Sequence, residues 1–323
     1  LARKANRPVK LVMSRSEVFR ATGPTSSTSI DVKIGMTKDG KITAAKGVFR
    51  LQGGAFPGAP AEFTAMCAFA PYNLKHVSQI AYDVLCNRPK QAAYRAPGSP
   101  MAAFAVESVI DELCRKLDLD PLDTRLKNAS HEGTKASYGP KFEAIGLVET
   151  LEEAKAHDHY KTPLKPNQGR GISCGFWFNH GGETAVSLAL SEDGTAAISV
   201  GTPDIGGSRA SMALMAAEEL GIPYENIRTT IADTATLGYN EVSHGSRVTY
   251  ASGLATIKAA RDAVDKLCHR AAAKWGIDRD AVAWEDGCAI PSGPNAGDFD
   301  PLPLADITAN MGATGGPLVG HYE

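Results

Sequence analysis

The stretch Ala93-Tyr94-Arg95-Ala96-Pro97-Gly98-Ser99-Pro100, running on through Phe104-Ala105-Val106-Glu107-Ser108-Val109-Ile110-Asp111-Glu112, reads as a turn that opens an amphipathic helix. Ser99 is placed to cap it and Pro100 to fill its first turn. Val106, Val109, Ile110, Leu113 and Leu117 recur at helical spacing and make one apolar face. Asp120-Pro121 starts a second, short helix through about Ala129. Upstream, residues 28–36 and 42–51 alternate like half-buried strands, and Lys38-Asp39-Gly40-Lys41 between them is a strong hairpin signal. Residues 77–85 read as another strand and residues 8–13 as a buried one; residues 52–60, rich in glycine and proline, read as a loop. Strands and helices therefore intermingle, and the fold class expected is α+β with mixed sheets.

A polar stretch at residues 130–140 divides the chain into two expected lobes, 1–140 and 141–323. In the second lobe a helix is expected over 147–157 and a linker over 162–169. Strands are expected near 171–177, 184–190, 196–201 and 227–231, with helices from Ser208 to Leu220 and from Val248 to Trp275. Leu1-Ala2-Arg3-Lys4 resembles the tail of a cut helix, and residues 315–323 read as a loop with no closing element. The chain thus reads as part of something longer, with a targeting signal upstream left open.

Two glycine-flanked Ser-Arg pairs stand where helices begin: Gly206-Gly207-Ser208-Arg209 and His244-Gly245-Ser246-Arg247. A helix N-terminus presents unpaired N–H groups and partial positive charge, which favour anions. Glycine lets a ligand approach the backbone and arginine adds a bidentate fork. Either corner alone is plain capping; the pair suggests a phosphate-bearing ligand.

The 323 residues are 43% hydrophobic and 22% charged with net charge −2, so there is no basic footprint for nucleic acid. The apolar runs fall far short of a membrane span. The six cysteines are scattered without a C-x-x-C pair, which argues against an iron–sulfur cluster or structural zinc on this chain. Buried thiols in a reducing, cytoplasmic setting are the expectation.

The stretch from Tyr94 to Glu112, continued by Leu119-Asp120-Pro121-Leu122-Asp123-Thr124-Arg125-Leu126-Lys127-Asn128, closely resembles the molybdenum-binding subunit of the xanthine dehydrogenase and aldehyde oxidase family. Gly201-Thr202-Pro203-Asp204-Ile205-Gly206-Gly207 resembles that family's second cofactor loop, and Gly245-Ser246-Arg247 with Thr249 its third. Ala217-Glu218-Glu219-Leu220-Gly221-Ile222-Pro223, Asp233-Thr234 and Arg7-Pro8-Val9-Lys10-Leu11 continue the resemblance in order.

The resemblance implies a molybdopterin cofactor, in bacteria often the cytosine dinucleotide form, held between two molybdopterin-binding lobes. Tyr94, Arg95, Ala96, Pro97 and Gly98 would meet its pterin and metal end. Asp204, Ile205, Gly206, Gly207, Ser208 and Arg209, with Gly245, Ser246, Arg247 and Thr249, would take phosphates and pterin amides. No residue is implied as a direct metal ligand.

The implied reaction is hydroxylation of an electron-poor carbon in an aromatic heterocycle, aldehyde or related small molecule, with oxygen from water. Its glutamate base lies in a segment outside these residues, so no catalytic residue is assigned and the chain alone is expected to be inactive. Partners with [2Fe–2S] clusters and FAD, and the remainder of the molybdenum subunit, are implied.

Three departures bear on substrate. Ala96 stands where carbon monoxide dehydrogenases carry a copper-engaging cysteine, and Pro97 where xanthine oxidases carry a phenylalanine. Ile205-Gly206-Gly207 lacks the glutamine of a Gly-Gln-Gly context.

Two other readings stay open at this point: a non-catalytic nucleotide- or phosphate-binding module, and a structural fragment without cofactor. His180 and His244 are weighed as ligands against loop roles, His157 and His159 read as solvated, and Trp177 and Phe178 as core.

Overall fold

The Asp39-Gly40 turn reverses the chain as expected, with Gly40 at φ +86°, and sets strands β1 (Thr28–Met36) and β2 (Ile42–Gly54) antiparallel. The computed structural model describes every residue except Pro24, Asn179, His180, Ala232 and Glu323. The chain forms two units, Leu1–Trp177 and Phe178–Glu323. The polar stretch at 130–140 lies inside the first of them.

In the first unit, β3 (Val77–Leu85) pairs parallel with β2, so the sheet order is β1-β2-β3. Short helices α1 (Ala2–Ala5) and α2 (Arg15–Ala21) precede it; α3 (Ala61–Ala68) and α4 (Ser99–Leu117) pack on the sheet. Helices α5 (Pro121–Asn128), α6 (Leu147–Ala156) and α7 (Asp158–Lys161) follow. The inward positions of β2 and the apolar stripe of α4 meet in the core, where Phe49, Leu51, Val106 and Ile110 are each 0% exposed.

A charged cluster lies beside this core. The Glu107 carboxylate accepts Arg125 Nε–H at 2.8 Å, the Cys174 amide at 2.8 Å and the Tyr72 hydroxyl. Arg125, fully buried, also reaches Asp111 Oδ1 at 2.8 Å and the Pro121 carbonyl at 2.9 Å. Burial and the neighbouring Glu107 charge push the Tyr72 hydroxyl well above its ordinary value, and Cys174 is pushed up to about 11 for the same two reasons. Burial alone would lower the Arg125 guanidinium, but the Glu107 charge and the hydrogen bonds to Asp111 and Glu107 outweigh it and hold the group above its usual range.

In the second unit, β4 (Val186–Leu190) and β5 (Ala196–Val200) form an antiparallel pair. Helix α8 (Ser208–Leu220) then crosses over to β6 (Ile227–Ile231), parallel to β5. A π-helical turn, Val248–Ser252, enters α9 (Gly253–Trp275). Strands β7 (Val282–Glu285), β8 (Cys288–Pro291) and β9 (Leu302–Pro303) make a small antiparallel sheet, followed by α10 (Leu304–Thr308) and β10 (Val319–Tyr322). The main sheet runs β10-β4-β5-β6.

Four expectations are corrected. Residues 8–13 form no strand and are unpaired, with Leu11 at 69% and Val12 at 77% exposure; an apolar run becomes a strand only where a partner strand is present. Residues 171–177 form no strand either, because the Cys174 amide turns to Glu107 rather than to a ladder. The end of the chain does carry a closing element: β10 pairs with β4 and lies so close to α9 that a Cβ at Gly320 would stand 2.0 Å from the Ala259 carbonyl oxygen. Ser99 does not cap α4; Gly98 holds the cap position and the Ser99 hydroxyl donates to the Phe176 carbonyl at 2.6 Å.

All six cysteines are free, and no group of three or more His, Cys, Asp or Glu among the described residues is arranged to hold a metal ion. No helix among the described residues is long and apolar enough to cross a membrane.

Replacing Arg125 by Met leaves the Glu107 charge buried with one partner fewer, at a cost of about 3–5 kcal/mol. Hydrogen exchange followed by mass spectrometry should show protection lost in α4 and α5 and retained in α8 and α9. Unchanged protection in α4 and α5 would contradict this account of the cluster.

Candidate functional site

The loop 94–98 belongs to the first unit and is shaped by its own backbone. Ala96 sits at φ +51° and Gly98 at φ +85°. A side chain at Gly98 is excluded twice over: its φ is left-handed, and a Cβ would stand 2.1 Å from Thr64 Oγ1 on α3. The tight seat of Gly98 thrusts the preceding residues outward, leaving Tyr94 64% exposed and Arg95 exposed. Arg95 has no ion-pair or hydrogen-bond partner among the described residues. Its loop forms one end of an open cleft of about 840 Å³ that runs between β1 and α4.

Both Ser-Arg corners belong to the second unit, and the packing of their helices brings them to the same end of it. Thr256 of α9 lies against Met212 of α8, with its hydroxyl 3.3 Å from the sulfur, and Arg261 pairs with Glu219 one to two turns further on at 2.8 Å. The two helices therefore run in the same direction. Their leading loops stand beyond the carboxyl ends of the parallel strands β5 and β6, the place where α/β crossovers leave a crevice for ligands.

The first corner differs from the open anion seat expected of it. Asp204 Oδ1 accepts the amides of Gly206, Gly207 and Ser208 at 3.1, 2.8 and 3.1 Å, so the leading N–H groups of α8 already face a carboxylate. Those amides hold the Asp204 carboxyl below its ordinary value. Gly207, not Ser208, is the cap residue, and the Ser208 hydroxyl turns inward to the Pro203 carbonyl at 3.1 Å. This arrangement removes the support for an independent nucleotide-phosphate site at the corner.

What the corner does offer is bare backbone. Gly206 and Gly207 have φ of +111° and +99°, and a Cβ on either would meet nothing within 4 Å. Ile205 is 67% exposed, and Arg209, also exposed, has its Nε 4.0 Å from Asp204.

The second corner is organised by Arg247, whose side chain has no exposed surface. Its Nε donates to the Gly181 carbonyl at 2.8 Å, its Nη1 to Glu241 at 2.9 Å, and its Nη2 to Gly182 and Glu183 at 2.9 Å. With Thr184 Oγ1 at 2.5 Å and Glu241 Oε2 at 3.7 Å beside these carbonyls, the guanidinium is engaged within the chain and holds two loops together. Ser246, at φ +62°, and Thr249 are exposed, while Gly245 is half-buried. His244 lies 3.4 Å from Glu241 Oε1. His180 lies outside the described residues. His157 and His159 are exposed as expected, and Trp177 packs against Phe63 with ring centroids 5.9 Å apart.

Sequence reasoning missed the part Asp204 plays. The signal was present, since an aspartate four residues before the helix start is placed to accept the leading amides. The carbonyl partners of Arg247 are far away in sequence and left no such trace.

The Asp204 carboxyl is depressed, so its tie to the loop is complete above the ordinary aspartate value of 3.8 and is lost only as pH falls through the still lower folded value. In Asp204→Ala the three amides lose their acceptor. Inorganic phosphate should then shift the Gly206, Gly207 and Ser208 amide resonances of the variant and leave the wild type at neutral pH unmoved. Shifts of equal size in both proteins would show that these N–H groups are open after all.

Two distinct molybdopterin cofactor-binding domain families match the chain, one over residues 1–129 and the other over residues 145–321. The chain is 28% identical over 292 residues to the xanthine dehydrogenase molybdenum-binding subunit of Escherichia coli O157:H7, covering 82% of this chain and 38% of that protein. It is 27% identical over 288 residues to the aldehyde oxidoreductase of Megalodesulfovibrio gigas, covering 83% of this chain and 31% of that one. Among solved structures, the quinoline 2-oxidoreductase of Pseudomonas putida 86 superposes with a TM-score of 0.81 at 18% identity, over 99% of this chain and 45% of that one. The chain therefore spans less than half the length of these relatives, and the last likeness shows the fold alone. With both cofactor-binding domains matched in order, the chain belongs to the molybdopterin cofactor-binding family of the molybdenum hydroxylases.

Proposed function

We propose that this chain is the cofactor-cradling part of a molybdenum hydroxylase that hydroxylates an aromatic heterocycle, aldehyde or related molecule with oxygen from water. The observation that carries the reading is the ordered double domain match, supported by exposed loops of suitable chemistry. The residues present fit a pterin with phosphates: Arg95 is an exposed cation without a partner among the described residues, and Gly206-Gly207 is open backbone that a flat ring can approach.

On this reading Tyr94, Arg95, Ala96, Pro97 and Gly98 hold one part of the cofactor. Asp204, Ile205, Gly206, Gly207, Ser208, Arg209, Gly245, Ser246, Arg247 and Thr249 build the loops that hold the rest, in lobes 1–140 and 141–323. Asp204 and Arg247 act on the loops themselves, Asp204 through the amides of α8 and Arg247 through carbonyls. The cytosine dinucleotide form supplies the phosphates for which exposed Arg209, Ser246 and Thr249 are suited.

When bound, the molybdopterin group supplies the two-electron redox chemistry. In the overall reaction a substrate C–H bond gives way to a C–O bond, water supplies the oxygen, and two electrons and two protons leave. [2Fe–2S] clusters and FAD on partner subunits or domains carry the electrons away, and we place the assembly in the cytoplasm. Arg95 orients and neutralises an anionic group of the cofactor, and the fixed loop 94–98 sets where the substrate must stop.

Native purification of the full-length protein should yield stoichiometric molybdenum and pterin; absence of both would sink the proposal. Arg95→Ala should lower the bound molybdenum with circular dichroism unchanged, because the side chain is exposed. Full molybdenum content in that variant would remove Arg95 from the cradle.

A further inference from the structure

Strand β1 lies at the edge of its sheet, and its outer backbone is open. The Gln52 amide donates to the Ser27 carbonyl at 2.9 Å, which makes these two a hydrogen-bonded pair of the antiparallel ladder. Along the register that follows, Ser29, Asp31 and Lys33 also turn their N–H and C=O groups to β2, while those of Thr28, Ile30, Val32 and Ile34 turn outward. The outward groups have no hydrogen-bond partner among the described residues.

The side chains alternate in step with the backbone. Ile30, Val32 and Ile34 point to the α4 side of the sheet, each half-buried against the core; Asp31 and Lys33 point to the other face. Beside the open edge lies the cleft of about 840 Å³, whose other wall is a second stripe of α4. Met101, Phe104, Ala105 and Val109 recur there at helical spacing, next to the core stripe of Ala102, Val106 and Ile110. Phe104 is 79% exposed and its three companions are half-buried. Arg95 enters the cleft from loop 94–98, the part given to the cofactor.

Donors and acceptors that recur about every 7 Å along an apolar ledge are matched by one kind of ligand, another extended chain. Small molecules do not repeat a donor and an acceptor at that interval. Long edge strands are normally shortened, bulged or covered, because they pair with whatever strand they meet. Strand β1 runs for nine residues without a proline, and its register shifts only between Gly35 and Met36, past the open row. The chain covers 38% of the xanthine dehydrogenase subunit described above, so most of such a subunit lies outside these residues.

We propose that a strand from the rest of the molybdenum subunit pairs with the outer edge of β1 and sets alternate apolar side chains against Ile30, Val32 and the Met101-Phe104-Val109 stripe. The proposal rests on the function above only for the identity of that subunit. The remaining side chains of the added strand lie beside Asp31 and Lys33. Asp31 is held by Arg50 at 2.7 Å, whereas Lys33 has no partner among the described residues and stands opposite Lys46 in the register. Two like charges in register repel, so an acidic side chain beside Lys33 is the one that fits. Once docked, the strand covers Phe104 and braces α4, from whose first turn loop 94–98 springs.

Amide exchange of the purified full-length protein, read residue by residue, tests this. Ile30 and Val32 should exchange as slowly as Asp31 and Lys33, whose amides β2 holds. Exchange of Ile30 and Val32 about a hundredfold or more faster than those neighbours overturns the proposal. Val32→Pro removes an outward N–H and no bond to β2. It should speed the exchange of Ile30 about tenfold or more while Asp31 and Lys33 stay slow. An unchanged Ile30 would mean that the edge is covered without being paired, which overturns the proposal as well.

Where Val32→Pro does not fold, Phe104→p-benzoylphenylalanine decides instead. On illumination the purified protein should join this position to one peptide of the same subunit outside the 323 residues. Joining to an iron–sulfur or flavin subunit, to a peptide within these residues, or to nothing overturns the proposal. None of these readings needs bound metal. A subunit without molybdenum and pterin therefore overturns the function proposed above and leaves the strand site standing.

Discussion

The Glu107 carboxylate, buried on α4, accepts from three separate parts of the first unit: Tyr72 after α3, Arg125 on α5 and the Cys174 amide in the extended segment beyond α7. Burying a charge is costly unless every oxygen finds a donor. Glu107 meets that condition only when all three parts are in place. The constraint therefore orients α4, and the first turn of α4 is what anchors loop 94–98. The exposed Arg95 depends, through Gly98, on a carboxylate more than two helical turns away.

Arginine has the same kind of part in the second unit. Arg247 was legible as a cation beside a glycine, and a cation near a helix start suggests an anion in reach. Its N–H groups instead face four carbonyls and the Thr184 hydroxyl on two loops, because a guanidinium without exposed surface takes whatever acceptors enclose it. Asp204 shows the converse: a carboxylate answers the positive end of α8 from within the chain. Both corners are thus built loops, and what they leave open to a ligand is backbone together with the exposed side chains of Ile205, Arg209, Ser246 and Thr249. That suits a flat, many-armed pterin better than a single free phosphate.

Much of the local structure could be read from residue order. The Asp39-Gly40 hairpin, the stripe Val106-Val109-Ile110-Leu113 on α4 and the alternation along β1 and β2 rest on contacts within a few residues or on periodicity. Residues 8–13 and 171–177 misled for one reason: both have strand-like composition, yet a strand exists only through its ladder, and neither has one in this structure. Strand β10 was missed for the opposite reason, since Val319–Tyr322 is short and its pairing with β4 lies over a hundred residues away.

The order of residues by itself determined the α+β class, the helices that lead from the glycine corners and the resemblance that points to molybdopterin. These are properties of spacing and of motif. The tertiary structure alone decided which charges are available to a ligand. Arg95 and Lys33 have no partner among the described residues, whereas Arg125, Arg247 and Asp204 are committed inside the fold. Availability depends on which distant carbonyls, carboxylates and amides the packing brings within about 3 Å, and no local pattern encodes that distance.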